Sequence, residues 1–547
     1  MPLPSYAHGA STVALLGETI GVNLRRTVTR VGEREALVAP AQGYRATYRE
    51  LWDATTALAK ALLSRGIEKG DRVGIWAPNR FEWVVIQYAT ARVGAILVNV
   101  NPAYKAHELR HALNQSGLTL LLLARGFRET DYVEILDQVR PDCPALDEAL
   151  VLDDAWTALL TEGSAISDAQ LTAREASLAF DDPINIQYTS GTTGAPKGAT
   201  LSHHNILNNG FFCGEVLGYT ELDRVCVPVP FYHCFGMVIG NLACTSHGAC
   251  IVTPGEAFEP RATLAVIEDE RCTSLYGVPT MFIAQLDHPD FDRIDFSSLR
   301  TGVMAGSPCP VEVMKRVREG MHLPQMTICY GMTETSPVST QTRVDDPVEK
   351  SVATVGQVHP HVEVKVVDAE SGQVVPRGES GELCTRGYCV MLSYWNNPDA
   401  TRTAIDQGRW MHTGDLASMD DDGFVSIVGR IKDMIIRGGE NIYPREVEEF
   451  LYTHPDVADA QVIGVPSTRY GEEVVAWIKP KPNTRVDPEE LTRFCRGTIA
   501  TFKIPRYWKI VDHFPMTVTG KIQKYLMREI SSKELELGSA RVEDEQT

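Results

Sequence analysis

At 547 residues the chain is too long for one small domain, and roughly 150 residues per domain points to three or four structural units. Apolar residues at 44% and charged residues at 22% exclude collagen-like, coiled-coil and largely disordered classes. The net charge of −19, split as −2 over residues 434–547 and −17 over the remainder, argues against nucleic-acid backbones and anionic membranes as partners.

The first 30 residues lack a continuous apolar stretch behind a basic start, so no signal peptide is expected. No apolar run approaches the ~20 residues that a membrane helix needs. Twelve cysteines lie between Cys143 and Cys495 without a C-x-x-C pair, which predicts reduced, buried thiols in a cytoplasmic protein and no zinc site of the common spacing.

From residue 48 to 123 helix and strand patterns alternate. Leu51, Ala54, Leu58, Ala61 and Leu62 recur at helical spacing up to Gly66, followed by a strand over 72–76, a helix over 82–92, a strand over 95–100, a helix over 107–116 and a strand over 118–123. Such alternation predicts an α/β class with parallel sheets covered on both faces. From Val362 short strands separated by polar turns such as Asp420-Asp-Asp-Gly423 predict a small antiparallel or barrel-like unit. After a boundary placed at 430–433, mixed helices and strands predict a small α+β unit. The division expected is thus 1–430 for a large N-terminal part, 431–433 for a hinge and 434–547 for a small mobile part.

The motifs G-x-G-x-x-G, G-x-x-x-x-G-K-[ST] and G-x-S-x-G are absent. The stretch Tyr188-Thr-Ser-Gly-Thr-Thr-Gly-Ala-Pro-Lys-Gly198 instead concentrates hydroxyls, glycines and one lysine behind an apolar strand. Glycines let backbone N–H groups approach an anion and the lysine adds a point charge, which suits a polyphosphate, although the composition alone also suits a flexible surface loop.

This string resembles the phosphate-binding loop of the adenylate-forming enzymes, a superfamily that includes acyl-CoA synthetases, beetle luciferases and the adenylation domains of peptide synthetases. Tyr330-Gly-Met-Thr-Glu-Thr335, Thr413-Gly-Asp415, Gly429-Arg-Ile-Lys-Asp433 and Pro515-Met-Thr-Val-Thr-Gly-Lys521 follow in the order of that family. Ser5-Tyr-Ala-His-Gly9, Tyr232-His-Cys234, Arg386-Gly-Tyr-Cys-Val-Met391 and Met434 to Pro444 are similar to medium-chain fatty acyl-CoA synthetases of the family-member-2 type.

The resemblance implies a two-step ligase: a fatty acid, ATP and coenzyme A as substrates, Mg²⁺ as cofactor, and acyl-AMP as intermediate. It places Thr189, Ser190, Gly191, Thr192, Thr193, Gly194 and Lys197 on the phosphates, Thr189 and Glu334 on the metal, and Gly306, Ser307, Tyr330, Gly331 and Thr333 around adenine. Asp415 takes the ribose and Arg430 the ribose or a phosphate, although an Asp beside Gly is more often a turn residue. Lys521 takes the reacting carboxylate and α-phosphate, His233 gates the acyl and pantetheine channels, Lys432 is the pivot, and Gly438 and Gly439 line the pantetheine channel after the small part rotates. Aryl or short branched acids, and a carrier protein in place of free coenzyme A, remain open on the sequence. The Pro-x-x-x-x-Gly-Lys spacing at 515–521 also resembles a site of lysine acylation, so a protein acetyltransferase and a deacylase are expected partners at Lys521.

Overall fold

A computed structural model describes residues 2–189, 196–517 and 520–535. The residues up to Arg430 form three large sheets and one two-stranded ribbon, Gly126–Phe127 with Thr130–Asp131. In the first, strands run in the order Ser393–Tyr394, Lys197–Ser202, Pro183–Thr189, Ile96–Asn99, Arg72–Trp76, Leu120–Leu123 and Glu148–Val151; the last five are parallel and the first two pair antiparallel at one edge. The second has nine strands. Its centre is the parallel set Gln325–Gly331, Thr301–Ala305, Ser274–Gly277, Arg224–Cys226, Cys250–Val252 and Glu35–Ala39, and antiparallel strands close both edges. The sheets are therefore mixed where the βαβ pattern predicts parallel ones; the pairs Pro183–Thr189 with Lys197–Ser202 and Glu35–Ala39 with Tyr44–Thr47 have connections too short for a parallel crossover.

Local sequence accounts for the elements that flank them. Thr47 and Glu50 form a capping box at the start of the helix Tyr48–Ser64: the Thr47 hydroxyl accepts from the Glu50 N–H at 3.2 Å, and the Glu50 carboxylate accepts from the Thr47 N–H at 2.7 Å. The helix Phe81–Val93 is different, since all its residues from Glu82 onward are buried. A helix without a polar face must be covered on every side. Gln87 and Tyr88 accordingly donate to the carbonyls of Met237 and Asn241 from another part of the chain.

The third sheet is wholly antiparallel, in the order Tyr6–His8, Val362–Val367, Ser380–Gly387, Met411–Met419 and Val425–Arg430. It is an open five-stranded sheet rather than a closed barrel. Beyond the 3₁₀ turn Ile431–Asp433, the strands Glu440–Ile442, Ile435–Arg437, Gly471–Pro480 and Val457–Ser467 pair in that order, and Tyr507–Ile510 joins the third of them in parallel. One apolar core runs from Ile20 to Val425, and two smaller cores draw only on residues 435–527 and partners up to Leu535. No described helix is long and apolar enough to cross a membrane.

Candidate active site

Parallel strands present their carboxyl ends at one edge of the sheet, where open α/β sheets bind ligands. The strands Thr301–Ala305 and Gln325–Gly331 deliver Gly306, Ser307, Tyr330 and Gly331 to that edge, and Thr333 and Glu334 follow in a 3₁₀ turn. The Tyr330 hydroxyl donates to Asp415 Oδ2 at 2.7 Å. Arg430, the cross-strand partner of Asp415, donates through Nε to Oδ1 at 3.3 Å. Burial pushes the Asp415 carboxyl above its ordinary range, against the opposing pull of Arg430 and Tyr330.

At the other end of the cleft, Thr189 and Lys197 are the last partners of an antiparallel strand pair. Ser190, Gly191, Thr192, Thr193 and Gly194 lie outside the described residues. The Thr189 hydroxyl donates to the Lys197 carbonyl at 3.4 Å, and Lys197 Nζ sits 5.1 Å from the centre of the Tyr394 ring. The Tyr394 hydroxyl donates to Glu334 Oε1 at 2.7 Å. Glu334 is 5% exposed, and its backbone carbonyl accepts from the Met391 N–H. Tyr394 therefore joins Lys197 to Glu334, a link that nothing in the local sequence announces.

Lys521 enters this cleft from the C-terminal part. A tight turn positions it: the Thr517 N–H donates to the Lys521 carbonyl at 2.8 Å, and the Lys521 N–H donates to Thr517 Oγ1 at 3.1 Å. The Thr280 hydroxyl of the N-terminal part donates to the Gly520 carbonyl at 3.3 Å. Gly520 has φ +77°, and a Cβ there would come within 2.9 Å of Val278 Cγ2, so the contact between the two parts requires glycine. Beyond it the Lys521 side chain passes Gly306, whose absent Cβ would stand 3.8 Å from Lys521 Cε. Burial lowers the Lys521 pKa and the Arg430 guanidinium lowers it further, while the carboxylates of Glu334 and Asp415 pull it upward. Two cations and two carboxylates thus converge on one pocket.

His233 precedes a π-helical stretch, Phe235–Leu242, and its Nδ1 accepts from the Phe235 N–H at 3.2 Å. Burial, with the Lys521 ammonium adding to it, pushes the imidazole pKa down to about 3. The ring is neutral at physiological pH.

Gly438 and Gly439 stand apart from this cluster. Lys432 is exposed within the turn Ile431–Asp433. Gly438 and Gly439 lie between the strands Ile435–Arg437 and Glu440–Ile442; the Gly438 N–H donates to the Tyr470 carbonyl at 2.8 Å, and Arg437 pairs with Glu473 at 2.9 Å. That loop packs on its own C-terminal part.

Tyr330 and Asp415 at strand ends, Lys197 on the neighbouring sheet and Lys521 from the C-terminal part thus frame one cleft. The chain belongs to the AMP-binding enzyme family: the sequence model of that family matches residues 24–395, and that of the AMP-binding enzyme C-terminal domain matches residues 446–521. It is 48% identical to YngI of Bacillus subtilis (strain 168) over 96% of this chain and 99% of that one. It is 45% identical to the mitochondrial medium-chain acyl-CoA ligase ACSF2 of Danio rerio, over 97% of this chain and 91% of that protein. Among solved structures, the anthranilate CoA ligase AuaEII in complex with anthranoyl-AMP superimposes with a TM-score of 0.84 at 28% identity, over 96% of this chain and 99% of that one.

Proposed function

We propose that this protein is an ATP-dependent acyl-CoA ligase that activates a medium-chain fatty acid through an acyl-adenylate. The observation that carries the reading is the delivery of Lys521 to Glu334, Asp415 and Gly306, the place where a carboxylate must approach a triphosphate. The substrate carboxylate oxygen attacks the α-phosphorus, pyrophosphate leaves, and Lys521 and Lys197 offset charge as the two anions are forced together. Coenzyme A sulfur then attacks the acyl carbon, and AMP departs. Similarity to ACSF2 at 42–45% identity in fish and human supports the medium-chain preference and free coenzyme A as acceptor.

The donor set at Glu334 and Thr189, a buried carboxylate and a hydroxyl, fits a hard cation such as Mg²⁺. Bound there with ATP, Mg²⁺ would neutralise charge on the phosphates. Tyr394 keeps the Glu334 carboxylate oriented.

Two arrangements of the chain are part of the reading. In the one described here Lys521 is in the cleft and Gly438-Gly439 is outside it, which suits adenylation. Rotation of residues 434–547 about 431–433, with Lys432 as pivot, would withdraw Lys521 and bring Gly438 and Gly439 to the pantetheine channel that His233 gates. An acetyltransferase would reach Lys521 more readily in that second arrangement, because here the side chain is partly buried in the cleft; acetylation would remove its charge and silence adenylation. All twelve cysteines are buried and free, which supports a reducing compartment such as the cytoplasm.

The test is a panel of straight-chain acids from short to long, scored for pyrophosphate exchange without coenzyme A and for AMP release with it. Exchange with medium-chain acids and thioester formation only with coenzyme A are expected. Absence of exchange with every acid would sink the reading.

A further inference from the structure

The antiparallel pairing of Ser380–Gly387 with Met411–Met419 gathers three potential metal ligands beside the ribose-side loop. Cys384 is the direct cross-strand partner of His412, and the register shifts between Glu382 and Cys384. A bulge of this kind re-aims side chains that a regular strand would hold apart. Among the described residues, a ligand atom from each of Glu382, Cys384 and His412 lies within 4.8 Å of the other two. Cys384 Sγ is 3.6 Å from His412 Nδ1, and that nitrogen is 2.9 Å from Glu382 Oε2.

These separations are close to what tetrahedral zinc requires. Bonds of about 2.0–2.1 Å to nitrogen and about 2.3 Å to sulfur at the tetrahedral angle hold N and S about 3.5 Å apart. The corresponding N-to-O separation of about 3.4 Å asks the Glu382 oxygen to move by about 0.5 Å from its present hydrogen bond. Across the ring, Nε2 lies 3.7 Å from Asp406 Oδ2, a separation that a small side-chain movement would close to a hydrogen bond. A carboxylate on the far nitrogen is the usual outer partner of a metal-bound histidine, fixing its tautomer and ring plane. Cys384 is buried while His412 is about a third exposed, so a cation has an entry on the histidine side and a water can complete the coordination.

We propose that Glu382, Cys384 and His412 form a binding site for one zinc-class divalent cation, with Asp406 as the outer partner of His412. Glu382 can serve the cation through Oε2 while Oε1 continues to accept from the Gly414 N–H, at 3.1 Å, so occupancy leaves the Thr413–Asp415 loop in place. The cation would displace the proton of the buried Cys384 thiol. Binding is therefore coupled to proton release.

The experiment is equilibrium dialysis of the full-length chain, freed of metal, against Zn²⁺ alone, with Co²⁺ as an optical probe of thiolate coordination. One Zn²⁺ per chain and a thiolate-to-Co²⁺ charge-transfer band are expected. Cys384→Ser and His412→Gln should each weaken binding by about tenfold or more, and retained acid-dependent AMP release would certify that the variants are folded. Should one variant misfold, the other and the wild-type Co²⁺ spectrum decide. Failure of the wild type to bind stoichiometrically, binding that survives both substitutions, or a Co²⁺ form without a thiolate band overturns the assignment.

Discussion

Tyr394 illustrates how much of the site depends on single side chains that no motif contains. Its ring lies under Lys197 Nζ and its hydroxyl holds Glu334, so Tyr394→Phe keeps the first contact and removes the second. A hydrogen bond to a charged group contributes about 1.5–3 kcal/mol, and the variant should lose pyrophosphate exchange by about tenfold or more while its unfolding temperature changes little. A fall in stability without a fall in exchange would assign Tyr394 to the core alone. Lys521→Ala tests the converse case, a residue that the motif at 515–521 does single out. Loss of a fixed charge at a developing anion costs about 3–4 kcal/mol, a factor of roughly 10²–10³ in adenylate formation. Thioester formation from supplied acyl-AMP should survive; equal losses in both half-reactions would make the lysine structural. Thr280 and Val278, which seat Gly520, belong with Tyr394 among the residues that sequence reasoning missed, because ordinary Thr and Val positions emit no signal of contact with a loop some 240 residues away.

At the scale of elements, the proposed two-state cycle would turn on Ile431–Asp433 and on the turn that ends at Lys521. Proline at 432 would fix φ near −65° and restrict Ile431, confining the turn to one conformation. Lys432→Pro is therefore expected to retain pyrophosphate exchange and to lose thioester formation, the reverse of Lys521→Ala. Full overall turnover in that variant would place the pivot elsewhere. Contacts across the two parts hold the present arrangement: Glu449 accepts from the Val311 N–H at the start of the helix Val311–Gly320, and Arg445 donates to the Ile427 carbonyl. A carboxylate at a helix N-terminus is favoured by the helix dipole, and burial raises the Glu449 pKa against that benefit. Glu449→Ala should lower adenylate formation more than thioester formation from supplied acyl-AMP, read by the same pair of assays, since only the former uses this contact.

For the whole molecule, stability should fall on mild acidification, in part through His203. It is fully buried, its Nδ1 accepts from the Ile20 N–H at 3.3 Å, its Nε2 has no hydrogen-bond partner, and burial holds its pKa near 3. An unfolded histidine protonates near 6.5, so between about 6.5 and 3 the unfolded chain takes up a proton that the folded chain refuses. This contribution is absent above about pH 6.5 and costs about 1.4 kcal/mol per pH unit below it. His203→Gln should flatten the pH dependence of unfolding by one proton over that window; an unchanged slope would show that His203 is accommodated in charged form. The sequence by itself determined what local chemistry controls: the helical spacing from Leu51 to Leu62, the alternation that produces an α/β core, and the ordered motifs that mark the family. Each of these depends on residues close together in the chain, where spacing translates directly into conformation. Only the tertiary structure decided which antiparallel edges close the sheets, that Lys521 rather than Gly438-Gly439 faces the cleft, that Tyr394 bridges Lys197 and Glu334, and that Glu382, Cys384 and His412 converge. Those outcomes rest on pairings between segments remote in sequence, and they are set by burial and shape complementarity that no local pattern encodes.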